Sequence, residues 1–124
     1  MKKDPIVGWK AYRYGLIAES VAGILLRLKW YKILTRRFRT RGGEIDIIAT
    51  RGNTIAFVEV KGRQKLEEGL DAVSFTAWRR ISVAAEAYMA SHPEYACYQW
   101  RYDLIIVSPF FRCSHIMDVF RPFR

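Results

Sequence analysis

The stretch 42–63, GGEIDIIATRGNTIAFVEVKGR, constrains this chain more than any other. It reads as two β-branched strands, residues 44–50 and 54–60, joined by Gly52-Asn53. Glycine at the first central position of a two-residue hairpin turn accepts the positive φ that the turn requires. The turn sets a register in which Arg51 faces Thr54, Ile48 faces Phe57, Asp46 faces Glu59 and Glu44 faces Lys61. Strict alternation then puts Glu44, Asp46, Glu59 and Lys61 on one face, together with Ile48, Ile55 and Phe57. The opposite face carries Ile45, Ile47, Val58 and Val60. Apolar residues on both faces imply a sheet covered on both sides, with a polar notch at one end. Directly opposed Cβ atoms lie ~4.5–5.5 Å apart, and like charges there repel. Asp46 against Glu59, set among branched aliphatics, is costly unless something pairs with both, and a divalent cation does so most economically. A surface charge ladder is the competing reading. It leaves the apolar residues on the charged face unexplained.

The charge balance narrows the partner. The chain has 124 residues, a net charge of +9 and a sequence pI of about 9.9. Arg supplies 14 of its 21 basic side chains. Guanidinium forks match phosphate better than ammonium groups do, so nucleic acid is favoured over an anionic membrane surface. The length suits one domain, 1–124, and 51% hydrophobic content suits a packed core. No apolar run reaches the ~20 residues of a membrane span. The opening MKKDPIVGWK has no apolar centre or small-residue cleavage site, so a cytoplasmic location is expected. Cys97 and Cys113 make no metal spacing and are expected to be reduced thiols.

Around the hairpin the pattern is mixed. Residues 1–7 read as a basic lead-in. Residues 8–28 read as a helix whose stripe is Ala11, Gly15, Ala18, Ala22 and Leu25, with Glu19 beside it. Trp30, Tyr31, Ile33 and Leu34 read as a strand entering the core. Arg36, Arg37, Phe38, Arg39, Thr40 and Arg41 continue it as a basic run that, if extended, sends alternate arginines to opposite faces. Such a run is either a phosphate-binding ribbon or an edge strand guarded by charge. A polar link, 64–69, suits a mobile loop beside the notch. A second helix, 70–91, carries Val73, Ala77, Ile81, Ala84, Ala85, Tyr88 and Met89 on its apolar stripe and stops at His92-Pro93. Residues 98–108 read as a strand with the central run 104–107, in which Arg101 and Asp103 share a face and can pair with each other or with the notch. A short edge strand is expected over about 115–120. His92 and His115 lack partners at zinc spacing. No G-x-G-x-x-G or G-K-[ST] occurs, which disfavours dinucleotide and P-loop chemistry.

The strongest chemical pattern is Asp46, then Glu59, Val60 and Lys61. It resembles the D…E-x-K motif of the restriction-endonuclease-like nuclease superfamily. A wider set of residues resembles the bacterial YraN family of endonucleases, similar in fold to the archaeal Holliday-junction resolvases. That set is Gly15, Glu19 and Ala22; Gly43-Glu44-Ile45-Asp46-Ile47-Ile48-Ala49; Phe57-Val58-Glu59-Val60-Lys61-Gly62-Arg63; and Arg101-Tyr102-Asp103. The resemblance covers about residues 10–107. It implies an α/β, restriction-endonuclease-like core, a mixed β-sheet flanked by helices in the order α-β-β-β-α-β. It also implies metal ligands at Asp46 and Glu59, a catalytic Lys61, and Glu19 as a further acidic member. The sequence departs from the family pattern at Ala77, where a Lys is frequent, and at Trp30, where a Gly usually precedes the first strand.

Together these features lead to the expectation of an endonuclease that hydrolyses DNA phosphodiester bonds with Mg²⁺ or Mn²⁺ at Asp46 and Glu59. Lys61 would orient water or stabilise developing charge, and Glu19 would assist the metal or its water. Arg36, Arg37, Arg39, Arg41 and Arg63 would hold the backbone. The alternative is a non-catalytic nucleic-acid-binding module that retains the fold. The expected partner is DNA, with no membrane and no small organic cofactor. A homodimer is the form that cleavage of a junction would require.

Overall fold

The computed structural model describes residues 5–64 and 66–122; of the lead-in read over residues 1–7, residues 1–4 lie outside them and residues 5–7 belong to the first helix. Helix α1 runs Pro5–Leu28, three residues earlier than the sequence pattern places it. Pro5 stands at the first helical position, where its missing N–H costs nothing. Ala18 and Ala22 of the expected stripe are buried, but Leu26 rather than Leu25 completes it, and Gly15 is exposed. The Ala11 side chain lies outside the described residues.

The end of α1 is tightly specified. Trp30 N–H donates to the Arg27 carbonyl at 3.0 Å and Tyr31 N–H to the Leu26 carbonyl at 2.9 Å. This pair of bonds is a Schellman cap, and its left-handed residue is Trp30 at φ 70. Tyr31 and Leu26 bury together, completing the cap's hydrophobic contact. Trp30 therefore does not enter a core strand as its sequence context suggests. It turns the chain and stands 88% exposed, in a conformation that explains why glycine suits this position.

Strands β1 (Lys32–Thr40), β2 (Gly43–Arg51) and β3 (Thr54–Gly62) form an antiparallel meander. Helix α2 (Leu66–Leu70) replaces the loop expected at 64–69, and helix α3 (Phe75–Ser91) follows. The second helix of the sequence reading thus starts later, at an N-cap where Ser74 Oγ accepts from the Ala77 N–H at 3.1 Å. Strand β4 (Gln99–Ser108) pairs parallel to β3, and β5 (Arg112–Ile116) pairs antiparallel to β4. The edge strand of the tail ends at Ile116 and not near 120. The sheet order β1-β2-β3-β4-β5 is mixed, and β1 with its arginine run is an edge. Cys97 and Cys113 are free thiols.

Two apolar layers cover the sheet. On one face Ala18, Ala22 and Leu26 of α1 pack on Ile47, Ala49, Ala56, Val58, Ile105 and Val107. On the other, Trp78, Ile81, Ala84, Ala85, Tyr88 and Met89 of α3 pack on Ile45, Ile48, Ile55, Phe57, Leu104 and Ile106. Trp78 stacks on Phe120 within this core. The α/β class with a mixed sheet between helices is as expected, with α2 and β5 added.

Alternation holds along β3 but breaks in β2. Ile45 lies with Ile48 and Phe57, not with Ile47 as strict period two requires. The break sits at Asp46. In the partner strand, Arg37 has φ 52, and the β1–β2 register has already shifted between Ile33 and Thr35. Arg36 and Phe38 accordingly leave the strand on opposite sides. Arg36 lays its guanidinium where a Cβ on Gly23 of α1 would sit, and Phe38 packs on the α3 layer.

Candidate metal and nucleic-acid site

The hairpin turn behaves as its sequence dictates: Gly52 has φ 60, and Arg51↔Thr54 and Ile48↔Phe57 are in register. The ladder ends at Ile47↔Val58, so the expected backbone pairings of Asp46 with Glu59 and Glu44 with Lys61 do not form. The broken alternation turns the Asp46 carboxylate toward β3, where Oδ2 accepts the Val60 N–H at 2.8 Å. The side chain takes the place of a strand carbonyl as acceptor. Asp46 and Glu59 still come together, lining one cleft in which the Asp46 carboxyl raises the Glu59 pKa.

They meet in a cleft of about 300 Å³ lined by Gly15, Leu16 and Glu19 of α1, Arg37 and Arg39 of β1, Glu44 and Asp46 of β2, and Glu59, Val60 and Lys61 of β3. All four expected catalytic side chains, Glu19, Asp46, Glu59 and Lys61, therefore line one cleft. Lys61 Nζ stands 3.8 Å from Glu59 Oε1. Glu19 is engaged by Arg37, whose Nε donates to both its oxygens at 3.2 and 3.3 Å. Arg39 pairs with Glu44 at 3.2 Å at the exposed rim.

The electrostatics centre on Glu59. Burial first, then the Asp46 carboxyl, push its pKa up to about 9, against a lesser opposing pull from Lys61. At neutral pH Glu59 thus holds its proton. Among the described residues no three His, Cys, Asp or Glu side chains converge as a metal-binding group. Of the four carboxylates lining the cleft, Glu19 and Glu44 are paired with Arg37 and Arg39, which leaves two, Asp46 and Glu59. That number suits Mg²⁺, which keeps several waters and takes one or two carboxylates plus substrate phosphate.

Of the five arginines expected to hold a phosphate backbone, Arg37 and Arg39 line the cleft. Arg41 is exposed in the turn between β1 and β2, and Arg36 is exposed while resting on α1. Arg63 follows β3, and its N–H donates to the Val107 carbonyl at 3.0 Å. The arginines thus do not form one flat ribbon, and of the five only Arg37 and Arg39 line the cleft.

A family model described as "Uncharacterised protein family UPF0102" matches residues 18–107. The chain belongs to UPF0102. This is the family to which the YraN resemblance pointed. A UPF0102 protein of Chelativorans sp. (strain BNC1) is 48% identical over 111 residues, 90% of each chain. The UPF0102 protein bll0669 of Bradyrhizobium diazoefficiens is 44% identical over 110 residues, 89% of this chain and 83% of its own. A relative from Parvibaculum lavamentivorans is 38% identical over 121 residues, 98% of this chain and 91% of its own. The UPF0102 match takes in every cleft carboxylate, together with Arg101 and Asp103.

That last pair belongs to a second polar cluster of the UPF0102 fold. Asp103 is fully buried. Its Oδ1 accepts from Arg101 Nε at 2.9 Å and from the Asp118 N–H at 3.1 Å. Its Oδ2 accepts from Arg101 Nη2 at 2.9 Å and His115 Nε2 at 2.8 Å. Lys29 Nζ lies 2.7 Å from His115 Nδ1, which makes Nδ1 the acceptor and Nε2 the donor to Asp103. Arg101 also donates to the Tyr31 hydroxyl. Burial would raise the Asp103 pKa, but the hydrogen bonds from His115, Arg101 and the Asp118 amide hold it below the usual carboxylate range. The cluster ties the end of α1 to β4 and β5. Arg101 and Asp103 pair with each other, as one of the two sequence alternatives had it, and are not among the residues lining the cleft. The sequence reading missed His115 as a partner because it tested that residue only for zinc spacing.

Proposed function

We propose that this chain is a metal-dependent endonuclease that hydrolyses phosphodiester bonds in DNA. The observation that carries the reading is the Asp46–Glu59 carboxyl pair, set in a cleft with Lys61 and walled by Arg37 and Arg39. Two neighbouring carboxyls in a cleft form a site that a divalent cation, Mg²⁺ or Mn²⁺, would occupy by displacing the Glu59 proton. Bound there, the ion would polarise a phosphate and lower the pKa of a water.

The chain's own residues supply the rest. The Val60 N–H fixes the Asp46 carboxylate, so one oxygen is held by backbone and the other is left for a ligand. Lys61, 3.8 Å from Glu59, presents its ammonium to the attacking water or to the charge that develops on the phosphate. Glu19 restrains Arg37 at the cleft wall. Arg36, Arg39, Arg41 and Arg63 hold the backbone with little readout of sequence, so binding should weaken steeply with salt.

The test is a substrate panel of single-stranded, duplex, flap and four-way DNA, incubated with pure protein in Mg²⁺ or Mn²⁺. Asp46→Ala and Glu59→Ala are expected to abolish cutting. Cleavage that survives both changes sinks the assignment. A second reading, a DNA-binding module without catalysis, draws on the engagement of Glu19 by Arg37, which leaves two carboxylates for a metal. Titration calorimetry separates the two: DNA affinity with no heat of Mg²⁺ or Mn²⁺ binding, and no cutting, favours the module.

A further inference from the structure

The turn between β4 and β5 carries an unusual tip, Pro109-Phe110-Phe111. Both phenylalanines have positive φ, 63 and 58. They are also 92% and 69% exposed. Asn, Asp and Gly are the residues that accept this backbone at low cost in a hairpin turn. Here two bulky side chains occupy it and bury little in return. Strain of this kind persists at sites where function requires it.

The position of the tip suggests what meets the rings. β3 and β4 run parallel, with Lys61 beside Ile106 and Gly62 beside Val107. The tip thus projects from the same end of the sheet at which Glu59 and Lys61 form the cleft. Phe110 is four residues past Ile106, at most about 13 Å along the strand direction from the level of Lys61. That span is no more than about four steps of a 3.4 Å nucleic-acid rise. Arg112 is exposed directly after the tip, and Arg63 is bonded to the adjacent Val107. Exposed aromatics beside arginines, in a chain of net charge +9, are what base stacking next to a phosphate backbone requires.

We propose that Phe110 and Phe111 form a wedge that stacks against a base step already open in the nucleic acid, at a nick, flap or branch. This rests on the nucleic-acid reading of the cleft and adds how the substrate's shape is recognised. Intact duplex must be unstacked before it can receive the rings, whereas an interrupted helix offers them a bare base face. The wedge therefore selects structure, and the arginines add affinity without selection.

The experiment measures binding of the full-length protein in EDTA, so that no cleavage is needed. The probes are a branched DNA with 2-aminopurine at the branch point and a duplex of the same length. Wild type is expected to bind the branched DNA at least about 10-fold more tightly and to change the 2-aminopurine signal, given that stacking one base on an aromatic ring is worth about that factor or more. F110A/F111A is expected to lose both the preference and the signal while holding duplex affinity within about twofold. F110N/F111G removes the rings but suits the positive φ, so it is expected to melt no lower than wild type and to lose the preference equally. Failure of the nuclease reading shows separately, as no cutting in Mg²⁺ or Mn²⁺ while the Phe-dependent preference remains. The wedge is overturned if either variant keeps the wild-type preference or if wild type shows none. It is also overturned if the substitutions instead abolish binding to anionic vesicles, or halve the mass in solution, with DNA selectivity unchanged.

Discussion

Replacing Glu59 by Gln is expected to stabilise the ion-free protein at neutral pH and to do little at pH 4. The Glu59 pKa rises from 4.5 to about 9, chiefly through burial and then through Asp46. Because the folded value lies above the unfolded one, the folded chain holds the extra proton between them. Unfolding releases that proton, so stability falls as pH rises from about 4.5 to about 9. Each pH unit in that window costs about 1.36 kcal/mol, which makes the penalty at pH 7 on the order of 3 kcal/mol. The side chain is only 14% exposed, so solvent screening removes little of this. Glutamine keeps the shape and a hydrogen-bond donor but has no proton to lose. In a chain of this size the gain corresponds to roughly 10 °C in melting temperature. The assay is thermal unfolding of wild type and Glu59→Gln in EDTA at pH 5 and at pH 7–8. A gap that opens with pH supports the raised Glu59 pKa. If the two proteins differ equally at both pH values, or the variant is the less stable at pH 8, the reasoning fails. Added Mg²⁺ or Mn²⁺ should raise the wild-type melting temperature at pH 8 and leave that of Glu59→Gln nearly unchanged.

Trp30→Gly is expected to stabilise the fold by about 1 kcal/mol, because glycine relieves a left-handed residue with little contact to lose; denaturant midpoints would read it, and a destabilised variant would contradict the cap assignment. Asp103→Ala removes the anion from a buried cationic cluster and is expected to cost about 3–5 kcal/mol. Since the Asp103 pKa is lowered on folding, its contribution is present at neutral pH and fades as pH drops below the usual carboxylate value. Urea unfolding of this variant should therefore differ from wild type less at pH 2 than at pH 7. Gly43→Ala would place a Cβ 2.0 Å from the Arg80 carbonyl oxygen, forcing β2 and α3 apart. A loss of about 1–3 kcal/mol is expected from such overpacking, measurable as a fall in the urea midpoint.

Much of the site was legible before any coordinates. Gly52-Asn53 fixes a turn of known length, and from it the pairings of Arg51 with Thr54 and Ile48 with Phe57 follow by counting. Counting failed two steps later, at Asp46. Alternation is a property of regular strands, and the irregularity at Arg37 comes from the neighbouring strand, which a hairpin's own sequence does not report. The Arg101-Asp103 spacing was visible as a pair on one strand face. Its completion by His115 and Lys29 was not, because those residues come from β5 and the end of α1 and are joined only by the packing of the fold.

The sequence by itself determined the local decisions: the hairpin turn, the α/β class and the basic surface. These depend on period, turn chemistry and charge, all of which are short-range. Tertiary structure decided what those residues do to one another. It stopped the ladder at Ile47, gave Asp46 the Val60 amide, engaged Glu19 with Arg37, and buried Glu59 deeply enough to keep its proton. The energies of those contacts depend on burial and on neighbours distant in sequence, and only the folded chain supplies both.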